Sequence, residues 1–521
     1  MRRLLLFVLF LSACSKREAT TPPAVPRPAP PPAAIDTVAK PMDAATPTAP
    51  ETPLVNRDLA EITESNELRV LFTFNSTGYL VYRGETMGYE YELLRQFTRD
   101  RKLRLVPVVV RDSTKLYEML ARGDGDVIAA QLVAGRVSPQ IVFTAGLYET
   151  APVVVQRKNA APTAGMAAAV TTADQREQQA TGDIQPLTIH ARLVTQPAEL
   201  AGQQVHLSQA SPYRDRLLEL NEELTQDIEV VQVDESTDRV IQRLAEGELA
   251  YTVAPENLAA LKSGEYTNLI IKPAIGPPQQ VVWGLRANAP NLRAALDQWI
   301  AAKRKAGLLG VLYKKYFNDR RGFVKRAESR YLAAETGTLS QYDDYFREYA
   351  RIPGWDWRLV ASQAYQESRF NANARSWAGA QGVMQIMPRT ARELKVNAAD
   401  PRQSIEGACR YLWKLDQQLK DDIERESERI KFILGAYNVG LGHVEDARRL
   451  AKKHGDDEDD WNDVAYWLIR KSKRAVYNDP VVKYGFARGT EPVAYVEQIL
   501  DRYAHYKQFV VGEPASDAPT P

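Results

Sequence analysis

Glu367 is the side chain whose type and neighbours most favour chemistry. Trp355-Asp356-Trp357 offers a helix start, with Asp356 able to accept from free backbone N–H groups, and Val360, Ala364 and Glu367 then fall at i, i+4 and i+7 on one face. A carboxyl pressed against apolar neighbours resists ionisation, because desolvation penalises the charged form, so it holds a proton near neutral pH. That is the state a general acid needs. A polar, Gly-containing segment extends from Asn371 to Gly382, then Val383-Met384-Gln385-Ile386-Met387 and Pro388, whose fixed φ suits the first turn of a new helix. A loop of this kind can edge a groove.

Other chemistries find little support. The five histidines are scattered without HExxH or paired spacing, and no cysteine cluster suggests zinc, so neither a metal nor a cofactor is expected. The acidic run Asp456-Asp457-Glu458-Asp459-Asp460 lacks the alternating ligand spacing and turn glycine of a calcium loop, and reads as a solvated connection. No phosphate-cradling Gly loop is present. A formal net charge of +1 gives no electrostatic reason to expect nucleic acid.

The elements that must position Glu367 come from a long chain. With 521 residues, 44% hydrophobic and 26% charged, it is globular in composition and divides into two to four domains. MRRLLLFVLFLSAC places two arginines before a short apolar run and small residues, the pattern of a secretory signal, too short to span a bilayer. Leu11-Ser12-Ala13-Cys14 resembles the bacterial lipobox, which implies cleavage before Cys14 and lipid on that cysteine. Ser15, next to the cysteine, is similar to the residue at that place in lipoproteins sorted to the outer membrane, so the expected location is that membrane, lipid-anchored and facing the periplasm. With Cys14 acylated, Cys409 has no disulfide partner and is expected to be a small buried side chain.

Six segments are expected along the chain. Residues 1–14 are the lipoprotein signal, and the Pro/Ala-rich stretch 15–62 is a disordered tether stiffened toward polyproline II. From 63 to 318, short apolar runs such as LRVLFTF and LRLVPVVV alternate with amphipathic segments, the signature of α/β units with a parallel sheet in two lobes. Asn159 to about Gln185 is Ala/Thr/Gln-rich and reads as a mobile insertion near the lobe crossing. Residues 319–341 form a charged linker, 342–510 are dominated by helical patterns, and 511–521 are a disordered tail.

Glu367-Ser368, Gly382-Val383-Met384-Gln385 and Ala436-Tyr437-Asn438 resemble the three signature motifs of the family 1 lytic transglycosylases, lysozyme-like enzymes that cleave peptidoglycan. The likeness runs from about Tyr342 to Tyr506. It implies a mainly α, lysozyme-like domain that cleaves the MurNAc-GlcNAc β-1,4 bond and leaves a 1,6-anhydro-MurNAc end. Glu367 would be the acid and then the base, with the substrate's acetamido group replacing a second carboxylate. The resemblance further implies that Ser368 and Gln385 hydrogen-bond near the acetamido group or the acid, that Met384 lines the sugar subsite, that Tyr437 and Asn438 shape the groove, and that Tyr495 approaches the carboxylate. Two other readings remain open on the residues: a muramidase of the same fold that hydrolyses the bond, and a non-catalytic envelope lipoprotein that binds glycan or solute.

Gly88-Tyr89-Glu90-Tyr91-Glu92-Leu93, Gly125-Asp126-Val127-Ile128, Phe143-Thr144 with Tyr148, and Glu199 to Val205 resemble the family 3 periplasmic solute-binding proteins. This implies a two-lobed α/β domain with a regulatory ligand, an amino acid or muropeptide, between the lobes. Arg136 is the candidate for a ligand carboxylate and Glu256 for a ligand ammonium. Arg136 is off by one or two in spacing, and Glu256 stands beside Pro255, where amino-acid binders carry an Asp. The expected partners are peptidoglycan glycan strands, that ligand and the outer membrane through the lipid.

Overall fold

The computed structural model describes residues 54–135, 138–158, 192–209, 211–327, 329 and 332–510. Cys14, Arg136, the Ala/Thr/Gln-rich stretch and the expected tail lie outside the described residues.

Two sheets form the two lobes expected from the alternating texture. In the first, strands run in the order Arg104–Val109, Glu67–Phe72, Val127–Val133, Gln279–Arg286, Ile141–Phe143, with Tyr148–Thr150 also pairing to Gln279–Arg286. The first three are parallel and Gln279–Arg286 is antiparallel to its neighbours. Val70, Leu71, Phe72, Val127 and Ile128 are all fully buried, as expected of central strands covered on both faces. The second sheet runs Glu229–Val233, Gln204–Ser208, Tyr251–Pro255, Pro152–Arg157, Leu269–Ile270. The chain thus leaves the first lobe after Thr150 and returns with Gln279.

The edges of this domain differ from the sequence expectation. Residues 54–62 fall within the expected tether, yet Val55 donates its backbone N–H to Ala121, Arg57 pairs with buried Asp126 at 3.1 Å, and a helix runs from Leu59 to Glu64. Ile62 is fully buried in the first-lobe core, so its apolar contribution offsets the cost of ordering the segment. The expected linker is also structured. It contains the helices Arg320–Ala327 and Ala333–Thr336, anchored by buried Phe323 and Leu332. Charge density in the segment concealed these few apolar anchors.

From Asp343 on, the domain is helical, with Asp343–Tyr349, Trp357–Ser368, Pro388–Leu394, Pro401–Leu419, Glu426–Val439, Leu441–His454, Trp461–Arg470 and Thr490–Phe509 as its main elements. The acidic run is a connection whose Asp460 caps the helix beginning at Trp461 by accepting from Asn462 N. Cys409 is buried, and burial pushes its thiol up.

The helical domain docks on the first lobe through its last helix. Tyr79 OH and His505 Nδ1 are 2.6 Å apart, Gln508 accepts from Val109 N at 2.7 Å and donates to Pro107 O at 2.9 Å, and Tyr506 OH donates to Gly84 O at 2.7 Å. Gln508 thereby pairs the open edge of strand Arg104–Val109. Gly84 lies between the paired strands Leu80–Tyr82 and Glu85–Met87 with φ of 76°, and a Cβ there would lie 2.5 Å from the Tyr506 hydroxyl and 2.6 Å from the Phe370 ring, so this hairpin tip approaches as only glycine allows. Among the described residues, no helix is long and apolar enough to cross a membrane.

Candidate active site

The helix carrying Glu367 is built as its sequence suggests. Asp356 caps it by accepting from Arg358 N at 2.9 Å, and Val360 and Ala364 are fully buried below the carboxyl. It ends abruptly, because Arg369 and Phe370 both take positive φ, 53° and 62°, a sparsely populated conformation for residues with side chains. Phe370 is held there by ring contacts with Tyr365 and Phe346. Glu367 and Ser368 therefore lie in the last turn, at the mouth of the helix. The helix is clamped sideways to Thr490–Phe509, with Ser362 Oγ donating to Ile499 O at 2.7 Å and Gln366 bonding Gln498 at 3.0 Å.

Two forces act on the Glu367 carboxyl. Burial raises its pKa and a hydrogen bond from Tyr495 OH to Oε1 lowers it; burial wins, and the pKa rises from 4.5 to about 7. Among the described residues, no charged neighbour enters that balance. The group is therefore populated in both its neutral and its charged form near pH 7. Tyr495 itself is pushed well above the usual tyrosine range, first by burial and then by the Glu367 charge, so its hydroxyl keeps its proton.

The other residues of the three motifs gather here, mostly holding one another. Ser368 Oγ donates to Val383 O at 2.7 Å, tying the acid's helix to the loop beyond it. Gln385 has φ of 47°, and its amide donates to Ala374 O and Gly382 O, so it braces its own loop and makes no bond to the acid. Tyr437 OH donates to Met384 O at 2.9 Å, pinning that loop to the helix Glu426–Val439. Met384 is fully buried, with its N–H bonded to Ser404 Oγ, so its side chain packs in the core beneath the loop instead of on an open wall. Asn438 is exposed at the end of its helix. Gln363 is a site residue that sequence reasoning misses. It is fully buried, and its Nε2 donates to Tyr495 OH at 3.2 Å. Its one signal in the sequence is a polar residue one turn before Glu367 on an otherwise apolar face.

Residues 344–459 match the family described as Transglycosylase SLT domain, and residues 68–319 match Bacterial extracellular solute-binding proteins, family 3. A membrane-bound lytic murein transglycosylase F of Pseudomonas putida strain F1 is 30% identical over 461 residues, spanning 85% of this chain and 86% of that protein. Another of the same name, from Photobacterium profundum, is 30% identical and spans 87% of this chain and 82% of its own length. The chain belongs to this family. Among solved structures, a mutant of ArgBP from T. maritima aligns with 50% of this chain and 99% of its own, at 18% identity and a TM-score of 0.39.

Away from Glu367, a cavity of about 730 Å³ lies between the two lobes. Gln131, Ser208, Tyr213 and Asp238 line it, and the helical domain contributes Arg347 and Phe509. Glu256 does not line it. That side chain is exposed at the start of the helix Glu256–Glu265, while Pro255 and Leu258 face the cavity. Three acidic residues line it, Asp234, Glu235 and Asp238; the buried one is Asp238, which accepts from Ser76 Oγ of the first lobe at 2.5 Å and lies 3.6 Å from Lys262 Nζ. Sequence spacing points to a carboxylate at the end of a strand, whereas this one sits in the first turn of a helix, Thr237–Glu246.

Proposed function

We propose that this lytic transglycosylase cleaves the MurNAc-GlcNAc β-1,4 bond of peptidoglycan with Glu367 as its one ionisable catalytic group. The carrying observation is a carboxyl held at about pKa 7 by burial, with a tyrosine on one oxygen and no charged partner among the described residues. Neutral Glu367 donates its proton to the departing glycosidic oxygen. The substrate's acetamido oxygen attacks the anomeric carbon in place of a second protein carboxylate. Glu367, now charged and near its own pKa, takes the proton of the C6 hydroxyl as that oxygen attacks the anomeric carbon, displaces the acetamido oxygen and closes the 1,6-anhydro ring. A pKa near the working pH suits both halves of this cycle.

Ser368, Gln385, Tyr437 and Asn438 belong to the substrate-binding region in this reading, and buried Met384 shapes it from beneath the loop. The hydrogen bonds from Ser368 and Tyr437 to backbone carbonyls support a role in holding the loop 371–387 at the right height beside the acid, with the exposed Asn438 free to meet glycan. Tyr495 would steady the carboxylate that forms after the first proton transfer. Cys14 would carry the lipid that anchors the protein to the outer membrane, and the inter-lobe cavity would take a small amino-acid or muropeptide ligand that regulates the enzyme.

Mass analysis of digested peptidoglycan tests the chemistry. Wild type is expected to release anhydro ends, and Glu367→Gln, which keeps size but has no acidic proton, is expected to lose roughly 100- to 10,000-fold in rate. Reducing ends from wild type would overturn the ring closure in favour of hydrolysis, and normal turnover by Glu367→Gln would overturn the assignment of the acid.

A further inference from the structure

Gln363 is a fully buried primary amide on the apolar side of the acid's helix, one turn before Glu367. Burying an amide is unfavourable unless it is paired, and an aliphatic side chain would fill the same space without that penalty. Gln363 is only half paired. Its Nε2 donates to the Tyr495 hydroxyl at 3.2 Å, and its Oε1 has no hydrogen-bond partner among the described residues. The bond it does make is to the group that meets the catalytic carboxyl.

The donor and acceptor inventory gives that bond a direction. A phenol has one proton and two acceptor sites, and an amide NH2 can only donate. Tyr495 therefore accepts from Gln363 and must spend its single proton on Glu367 Oε1. With Oε1 already accepting, the proton of the neutral carboxyl belongs on Oε2. We propose that Gln363 is a positioning residue: by donating to Tyr495 it fixes that hydroxyl as a donor to Oε1 and keeps the transferable proton of Glu367 on Oε2. This rests on the reading of Glu367 as the general acid. In the opposite arrangement, with the amide oxygen toward Tyr495, the phenol would donate to Gln363 and Oε1–H would donate to the phenol, directing the proton into the protein and away from the glycosidic oxygen.

The two arrangements shift the acid in opposite directions. A phenol that accepts from Gln363 is a stronger donor to the carboxylate, because hydrogen bonds in a chain polarise one another. Loss of the amide then weakens the support of the charged form, and Glu367 keeps its proton to higher pH. A phenol that donates to Gln363 is a better acceptor for Oε1–H, and loss of the amide would release the proton at lower pH.

The experiment measures kcat and KM against pH on soluble glycan-strand fragments, using the full chain as wild type, Gln363→Met, Tyr495→Phe and the double variant. Methionine conserves volume and removes the donor. Gln363→Met is expected to lower kcat roughly three- to tenfold with KM unchanged. It should move the high-pH limb of the profile up by roughly half a unit, and it should have no further effect once Tyr495 is phenylalanine. A limb that stays in place, a limb that moves down, or a full additional loss in the Tyr495→Phe background each overturns the proposal. Thermal melting accompanies each variant, and Gln363→Leu carries the same cycle if the methionine variant does not fold. Glu367→Gln is assayed alongside. Turnover by that variant would sink the general-acid reading itself, whereas an inactive Glu367→Gln beside an unmoved limb sinks only the role of Gln363.

Discussion

At the scale of single residues, burial does most of the work at Glu367, and its effect on stability has a definite sign. The folded pKa of about 7 lies above the ordinary value of 4.5, so the folded protein binds the extra proton between those limits. Its stabilising contribution is complete below about pH 4.5 and is lost as pH rises through 7. Glu367→Gln, which cannot ionise, should therefore be more stable than wild type at pH 8, by on the order of 1 kcal/mol or more, with the gain vanishing near pH 4. Melting temperatures across that range check this, and an equal gain at both ends would point to packing instead of charge. Wild-type activity should fall on the alkaline side with an apparent pKa near 7, because the first step needs the neutral acid.

At the scale of elements, the loop 371–387 beside Glu367 is shaped by one close approach. Gly382 has φ of 81°, and a Cβ there would sit 1.8 Å from the carbonyl oxygen of Ala398, which is backbone and cannot swing away. The next residue, Val383, supplies the carbonyl that holds Ser368, and Met384 supplies the one that holds Tyr437. Gly382→Ala should therefore displace the loop, cost about 2–4 kcal/mol of stability and remove most activity even though no group that contacts glycan has changed. Urea denaturation with a parallel rate measurement tests this; an alanine variant of wild-type stability would show that the loop shifts at no cost.

At the scale of the molecule, the helical domain shares one hydrophobic core with the first lobe, in which Tyr79, Phe97 and Trp283 are continuous with Phe346, Leu359 and Tyr506, while the second lobe has clusters of its own. The helix Thr490–Phe509 carries Tyr495 near one end and the docking residues His505, Tyr506 and Gln508 near the other. His505 is fully buried between the Tyr79 and Tyr91 rings, with Asp501, Arg502 and Arg95 as its charged neighbours. Burial lowers its pKa from 6.5 to about 4. Its contribution to stability is thus present above about pH 6.5 and lost as pH falls toward 4. Acid should loosen the joint between the domains in that window, and His505→Gln should flatten the dependence. Calorimetric scans between pH 4 and 7 read both, and a wild-type profile already flat there would contradict the buried neutral histidine.

Sequence alone determined what periodicity and local chemistry encode. The alternating apolar runs gave two α/β lobes, the change to helical spacing after Tyr342 gave the last domain, and the cap at Asp356 with Val360 and Ala364 below placed Glu367 on an apolar face. Tertiary structure decided everything that depends on which distant segments meet. Tyr495 lies 128 residues from the acid it touches, and Gln363 gains a purpose only once that hydroxyl arrives. Residues 54–62 look too polar to fold and 319–341 read as a charged linker, because a few anchors such as Ile62, Phe323 and Leu332 are a weak signal until a core exists to receive them. Spacing along the chain points to Glu256 for the cavity carboxylate, and the structure supplies Asp238 instead, since lining a cleft is a matter of which way a helix faces after the lobes close, and one-dimensional spacing carries no record of that.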